Sequence, residues 1–406
     1  MIINNILTDH TLIIKELERS IKFYNWNSIL SFLPKGSYLV GGYIRDIILG
    51  RVTEELDVDI VVPCNAIAIG KQISENINSK LIILDKKREV VRIIFNHISI
   101  DIANQISSTI EGDLSTRDFS INSIAFLFDK KSLFDPLNGL KDLEVSLLRT
   151  CSETNLLNDP LRILRCFRFV SELNFTIDLK LITFLKKNKE KLYLVASERI
   201  NYEIQKIVKG ANALEAIILV KNFNIFGFDN LYKDSFFLDL KEINCEELNH
   251  NEKEKFLPLF FITQILDEAS LERFKFSKAE VSKTKLMRKW HFFLKNKKIA
   301  QLNELDRFEL HQELEMFLPS FIFYLPQNLR FDWLKRWRNK DDKLFHPSNL
   351  LNGDEIKKNL QIKDGPILGE LLKYLSKELA YNRLNNFDEA IYKAKLWIEQ
   401  NAPKCD

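Results

Sequence analysis

Two aspartates, Asp57 and Asp59, interrupt the apolar run LDVDIVV (Leu56 to Val62). In an extended strand alternate side chains share a face, so both carboxylates project to one side while Leu56, Val58 and Ile60 project to the other. Aspartate is a poor strand former, and two of them on one face of a Val/Ile strand call for a ligand. A hard divalent cation meets that need: Mg²⁺ takes one or two protein carboxylates and completes its shell with water and substrate phosphates. Two such ions held together clamp the attacking and leaving oxygens of a phosphoryl displacement. Upstream, Gly41 and Gly42 separate the short run Tyr38 to Val40 from a helical pattern over Ile44 to Leu49. Strand, side-chain-free turn and helix start together make a phosphate cradle, to which Arg45 adds a bidentate donor.

The elements that must position these groups follow from the hydrophobic pattern. Between about Tyr38 and Asp129, strand-length apolar runs (Tyr38 to Val40, Leu56 to Val62, Leu81 to Leu84, Val90 to Phe95, Ile98 to Ala103) alternate with helix-like segments. That alternation predicts a small mixed sheet with flanking helices. Val90 to Ala103 reads as a hairpin turning at Asn96 and His97, with Asp101 on the returning strand; beside Asp57 and Asp59 it would supply a third acid. After about Leu147 the periodicity is helical to the end, with a break at Gly210. Within this part Pro160 suits a first helical position with Asp159 in the cap region, and Ser197 suits a cap before Glu198. Arg162, Arg165 and Arg168 recur at every third position and form a basic stripe beside Leu161, Leu164 and Phe167.

Five ordered segments carry a family resemblance. GGYIRD (Gly41 to Asp46) with LDVDIVV, then TRDFSINSIAF (Thr116 to Phe126), FDPLNGLKDL (Phe134 to Leu143), NDPLRILRCFRFVSELNFTI (Asn158 to Ile177) and SERINYEI (Ser197 to Ile204) resemble the motifs of class II tRNA nucleotidyltransferases and bacterial poly(A) polymerases, in the polymerase β superfamily. The resemblance implies an α+β fold: a small mixed β-sheet nucleotidyltransferase head (1–147) followed by an elongated all-α neck (148–210), body and tail (211–406). It implies Mg²⁺ on Asp57 and Asp59 as catalytic ligands. Gly42, Arg45 and Arg117 then hold the phosphates and sugar of the nucleotide, while Asp159 and Arg162 read its base, with Arg165 and Arg168 nearby. The last assignment has a physical basis: cytosine and adenine each present an amine donor beside a ring-nitrogen acceptor, which a carboxylate and a guanidinium match. Two departures stand out, Thr116 where the family shows a first arginine and Asn158 where it shows glutamate.

The implied activity is CCA addition to the tRNA 3′ end from CTP and ATP, with tRNA as macromolecular partner. CC-only addition and poly(A) synthesis are the enzymatic alternatives, and a non-catalytic RNA-binding protein is the alternative of another class. Fifteen residues separate Asp101 from Arg117, a span that is shortened in members adding only the two cytidines. No histidine precedes an aspartate, which argues against an appended phosphohydrolase.

Composition sets the outer limits. At 406 residues the chain exceeds the single-core limit of about 250 to 300, so several domains are expected. A net charge of +3 does not by itself mark a polyanion-binding protein. Local clustering does: between Arg273 and Lys298 ten basic residues face one acid, Glu280, and mark a candidate tRNA surface whose aromatics are assigned to packing. A second cluster, Arg330 to Lys343, is diluted by acids, and Gly365, Pro366 and Gly369 suit the start of a late helix. Five scattered cysteines without a CxxC pair point to reduced thiols and a cytoplasmic location. The N-terminal residues carry no long apolar block, so no membrane insertion is expected.

Overall fold

A computed structural model describes residues 9–24, 26–51, 56–95, 98–227, 238–362 and 365–401. The chain forms two compact units, Met1–Ile225 and Phe226–Asp406. The expected α+β architecture is observed, with a mixed sheet in the first unit and helices after it, interrupted there by one short parallel pairing of Leu147–Leu148 with Thr176–Ile177 that the helical pattern did not predict.

The sheet contains β1 (Tyr38–Val40), β2 (Leu56–Val62), β3 (Lys80–Asp85), β4 (Val90–Phe95), β5 (Ile98–Asn104), β6 (Ala125–Leu127) and β7 (Ser132–Phe134). Their order is β3-β4-β5-β2-β1-β6-β7, antiparallel throughout except for the parallel β2–β5 pair. The first five were legible as apolar runs. The last two escape a pattern reading, because three residues are too few to show a period. Along β2, Leu56, Val58 and Ile60 are buried whereas Asp57 is exposed and Asp59 half-buried, the alternation its sequence demands. β4 and β5 pair as the expected hairpin; Asn96 and His97 lie outside the described residues.

Helix α1 (His10–Phe23) is capped by the Asp9 carboxylate and buries Ile13, Leu17 and Ile21. Helix α2 (Gly42–Ile48) leaves β1 through the Gly41 turn, and α3 (Ala66–Asn76) covers the hydrophobic face of β4 and β5. A short helix α4 (Ile110–Leu114) precedes Arg117. Then α5 (Arg162–Leu173), α6 (Ser197–Lys209) and α7 (Ala213–Asn222) pack on one another. Gly210 joins the last two, and a Cβ there would stand 2.1 Å from the Ser171 hydroxyl, so α5 passes too close for any other residue.

Two helix starts differ from expectation. α5 begins at Arg162 after a tight turn in which Arg162 and Ile163 amides reach back to the Asp159 and Pro160 carbonyls, and Asp159 instead closes the short helix Glu153–Asn158. Ser197 is the first helical residue of α6 and makes no side-chain cap, Ala196 standing in the cap position. Both differ by one or two residues, the usual margin at a fraying helix end.

The second unit is helical, with a phenylalanine-rich core that includes Phe260, Phe261, Phe308, Phe321, Phe323 and Phe345. Its last helices, Gly353–Leu360, Pro366–Ala380 and Phe387–Asn401, enclose a separate leucine cluster, and Pro366 opens its helix as expected. Among the described residues no helix is long and apolar enough to cross a membrane.

Candidate active site

Gly41 is the pivot of the site. It adopts φ 83°, in the region that favours glycine, and a Cβ there would lie 2.9 Å from Asp59 Oδ2 and 2.9 Å from Arg117 Nη1. Strand β1 therefore ends directly against a carboxylate and a guanidinium brought together from β2 and from the loop after α4. Asp57 projects from the same face of β2, and parallel pairing sets Asp101 of β5 opposite Asp59. The expected third acid is thus beside the other two. Its oxygens are engaged: Arg92 Nε and Nη2 donate to them at 2.7 and 2.8 Å.

Burial pushes the Asp59 carboxyl above its ordinary value; Asp101 and Asp57 push the same way, and Arg117 opposes them. Such a charge concentration fits a hard divalent cation, which one or two carboxylates suffice to hold. Among the described residues no group of three or more acidic, histidine or cysteine side chains is arranged for a metal. Arg117 Nε is buried without a hydrogen-bond partner, its nearest carboxylate being Asp113 at 3.9 Å. An orphaned guanidinium donor beside two carboxylates is suited to a phosphate oxygen.

Behind this front lies an arginine cluster that the sequence pattern presented only as a stripe. Arg45, Arg165 and Arg168 converge on the buried ring of Phe169, at 5.1, 5.6 and 4.9 Å from its centroid. Arg45 donates to Asp46 at 3.0 and 2.9 Å and to Asn122 at 2.7 Å. Arg165 donates to Asp118 at 2.7 Å, and Arg168 reaches Glu203 at 3.1 Å and Glu172 at 3.4 Å. Burial alone would raise the Asp118 carboxyl, but the Arg165 charge and hydrogen bonds from Asn122, Arg165 and the Phe119 amide hold it at about 2. These arginines are matched by acids within the unit and brace the front of the site. Phe169, Asn122 and Glu203 carry no sequence signal for that task beyond their place in the motifs.

Asp159 and Arg162 occupy a separate place. Asp159 pairs with Arg199 at 3.0 Å, Arg162 donates to the Thr116 carbonyl at 2.9 Å, and neither lines the cleft that contains the carboxylates. At the first arginine position of the motif, the Thr116 hydroxyl donates back to the Asp113 carbonyl. The cleft itself has a volume of about 810 Å³, enough for a nucleotide with room beyond it. Gly41, Gly42, Arg45, Asp57, Asp59, Asp101, Arg117, Arg165 and Arg168 reach it, as do Arg92, Tyr202, Lys206 and Lys209, which the sequence reading did not select.

In the second unit, the basic segment Arg273 to Lys298 is more neutral than its composition suggests. Lys285 pairs with Glu272 and Glu268, Lys289 with Glu313, and Lys297 with Asp306. Acids outside the segment supply these partners, which a count over the segment cannot reveal. Phe274, Phe276 and Trp290 are buried as expected, while Phe292 is 60% exposed and departs from the packing assignment. In the second cluster Arg330 is buried against the Leu325 and Phe323 carbonyls, Arg336 pairs with Asp342 and Arg338 with Glu252.

Comparison with known proteins places this geometry. Residues 37–106 and 103–149 match the poly A polymerase head domain. A Synechocystis CC-adding tRNA nucleotidyltransferase is 28% identical over 90% of this chain and 94% of that protein. Over nearly its whole length the chain is thus similar to tRNA nucleotidyltransferases, and its head matches that of the poly(A) polymerases. A Staphylococcus aureus CCA-adding enzyme is 23% identical over 90% of this chain and 94% of its own length. Among solved structures, a CCA-adding enzyme with ATP superposes with a TM-score of 0.69 at 23% identity, covering 89% of this chain and 91% of that one. The Thermotoga maritima CCA-adding enzyme complexed with tRNA gives 0.66 at 23% identity, with the same coverage. These solved structures share the fold of this chain.

Proposed function

We propose that the chain is a metal-dependent tRNA nucleotidyltransferase that adds CCA to the tRNA 3′ end from CTP and ATP, releasing pyrophosphate. The observation that carries this reading is the pair Asp57 and Asp59 under the Gly41 turn, with the unpartnered Nε of Arg117 beside them. The RNA 3′-hydroxyl oxygen bonds to the α-phosphorus, the bond from that phosphorus to the β-phosphate bridge breaks, and the hydroxyl proton leaves to solvent. Mg²⁺ on Asp57 and Asp59, when bound, supplies positive charge to the α-phosphate and to the departing oxygen. Arg117 holds phosphate or ribose oxygens, and the bare backbone at Gly41 and Gly42 lets them approach. Arg45, Arg165 and Arg168 stiffen the cleft behind them. Asp159 and Arg162 read the base, exchanging Arg199 and the Thr116 carbonyl for its edge. The proposed division is a catalytic head over 1–147, a base-reading neck over 148–210 and a tRNA-binding body and tail over 211–406, in a cytoplasmic enzyme. Incubation of the purified protein with tRNA lacking its 3′ end and each labelled nucleoside triphosphate tests it: C and A are incorporated, U and G are not.

CC-only addition is favoured by two specific observations. The CC-adding Synechocystis relative spans nearly the whole chain, and between β5 and α4 only residues 105–109 intervene. Cytosine and adenine differ by a ring, so a pocket that accepts both must move. With a tRNA ending in CC and ATP alone, adenosine incorporation supports CCA addition, and its absence alongside strong CTP incorporation assigns the CC-only activity. Long adenosine tails on any RNA would identify a poly(A) polymerase, and no incorporation at all a binding protein.

A further inference from the structure

Helix α6 turns Ile200, Glu203, Ile204, Ile207 and Val208 inward, which leaves Arg199, Tyr202, Lys206 and Lys209 along its opposite face at spacings of three or four. Arg199 is taken up by Asp159. The other three line the same cleft as Asp57, Asp59 and Arg117. Tyr202 is 59% exposed, and Lys206 Nζ lies 4.7 Å from its ring centroid. Among the described residues no carboxylate lies within ion-pair distance of Lys206 or Lys209, unlike the arginines deeper in the cleft.

An exposed aromatic ring beside two lysines, on the wall of a cleft that ends in carboxylates, has the composition of a single-strand nucleic-acid platform: a flat face for a base and cations for successive phosphates. We propose that Tyr202 stacks on a base at the 3′ end of the RNA substrate and that Lys206 and Lys209 hold its backbone, presenting the terminal hydroxyl to the Asp57 and Asp59 side of the cleft. This rests on the nucleotidyltransferase reading. The triphosphate is already provided with Arg117 and the carboxylates, whereas the polynucleotide brings one phosphate per residue and needs cations in series. Of the two substrates, the RNA end is the one this stripe complements.

The test uses a tRNA lacking its last three residues, with 2-aminopurine at its 3′ terminus. Binding to the wild type or Tyr202→Phe is expected to quench the fluorophore, and Tyr202→Ala is expected to restore its emission and weaken tRNA binding on the order of tenfold, the cost of one stacked base. Lys206→Gln with Lys209→Gln should lower the slope of log Kd against log salt by about 1 to 2, with the KM for CTP unchanged in all variants. Wild-type quenching and affinity in Tyr202→Ala, or an effect confined to the KM for CTP, would overturn the proposal. CTP incorporation by the wild type is measured first, so absence of turnover refutes the nucleotidyltransferase reading while the binding measurement still decides the platform.

Discussion

Arg92 and Asp101 form a bidentate ion pair across the β4–β5 hairpin, and the same Asp101 stands opposite Asp59 in the sheet register. The pair places a fixed cation next to the other carboxylates of the cleft: Asp101, then Asp57 and Asp59, favour the charged state of Arg92. Arg92→Gln is expected to leave the Asp101 charge facing Asp59 and to lower the melting temperature of metal-free protein. Arg92 is half-exposed, so a double-mutant cycle with Asp101→Asn should give a coupling of about 1 kcal/mol, which zero coupling would contradict.

Asp59 carries a destabilising charge in the absence of metal. Its folded-state pKa is raised, so the unfolded chain releases that proton first and stability falls as pH rises through the unfolded value of about 3.9 toward the folded one. In chelator, Asp59→Asn should melt above the wild type at pH 7 and match it near pH 3, while its nucleotide incorporation is abolished, as is that of Asp57→Asn. Thermal melts at the two pH values and a turnover assay check this; undiminished turnover would remove both residues from the metal site.

For Asp118 the sign is reversed. Its pKa is held at about 2, so its contribution is present above the unfolded value of about 3.9 and is lost as pH falls toward 2. Asp118→Asn leaves the part-exposed Arg165 charge without its buried partner and should cost about 1.5 to 3 kcal/mol by urea unfolding at pH 7. The deficit should shrink on acidification below pH 4.

Gly41→Ala meets two obstacles, a positive φ and the 2.9 Å approach of Asp59 and Arg117. Nucleotide incorporation should drop by on the order of a hundredfold, as expected when reacting groups shift by about 1 Å. Titration calorimetry with CTP would show the triphosphate site weakened in the same variant.

Asp159→Ala or Arg162→Ala should relax base choice more than it weakens triphosphate binding, since one bidentate base contact gives about 1 to 3 kcal/mol of discrimination. Competition between CTP and UTP on a truncated tRNA measures it. Unchanged selectivity would move base reading into the cleft proper.

Much of this protein is written locally. The alternation of Asp57 and Asp59 with buried Val58 and Ile60, the glycine turn after Tyr38 to Val40 and the switch to helical periodicity after Leu147 each depend on a repeat of 2 or 3.6 residues or on one backbone conformation. A sequence displays such signals directly, and with the ordered motifs they determined the fold class and the acidic face of β2. Which guanidinium meets which carboxylate was decided by tertiary structure. Arg168 finds Glu203 35 positions away, Arg165 finds Asp118 across 47, and Lys289 in the basic segment is neutralised by Glu313. Charge pairing acts over a few ångströms in space and is indifferent to separation along the chain, so only the sheet register and helix packing could fix these partners, and with them leave Arg117, Lys206 and Lys209 facing the cleft.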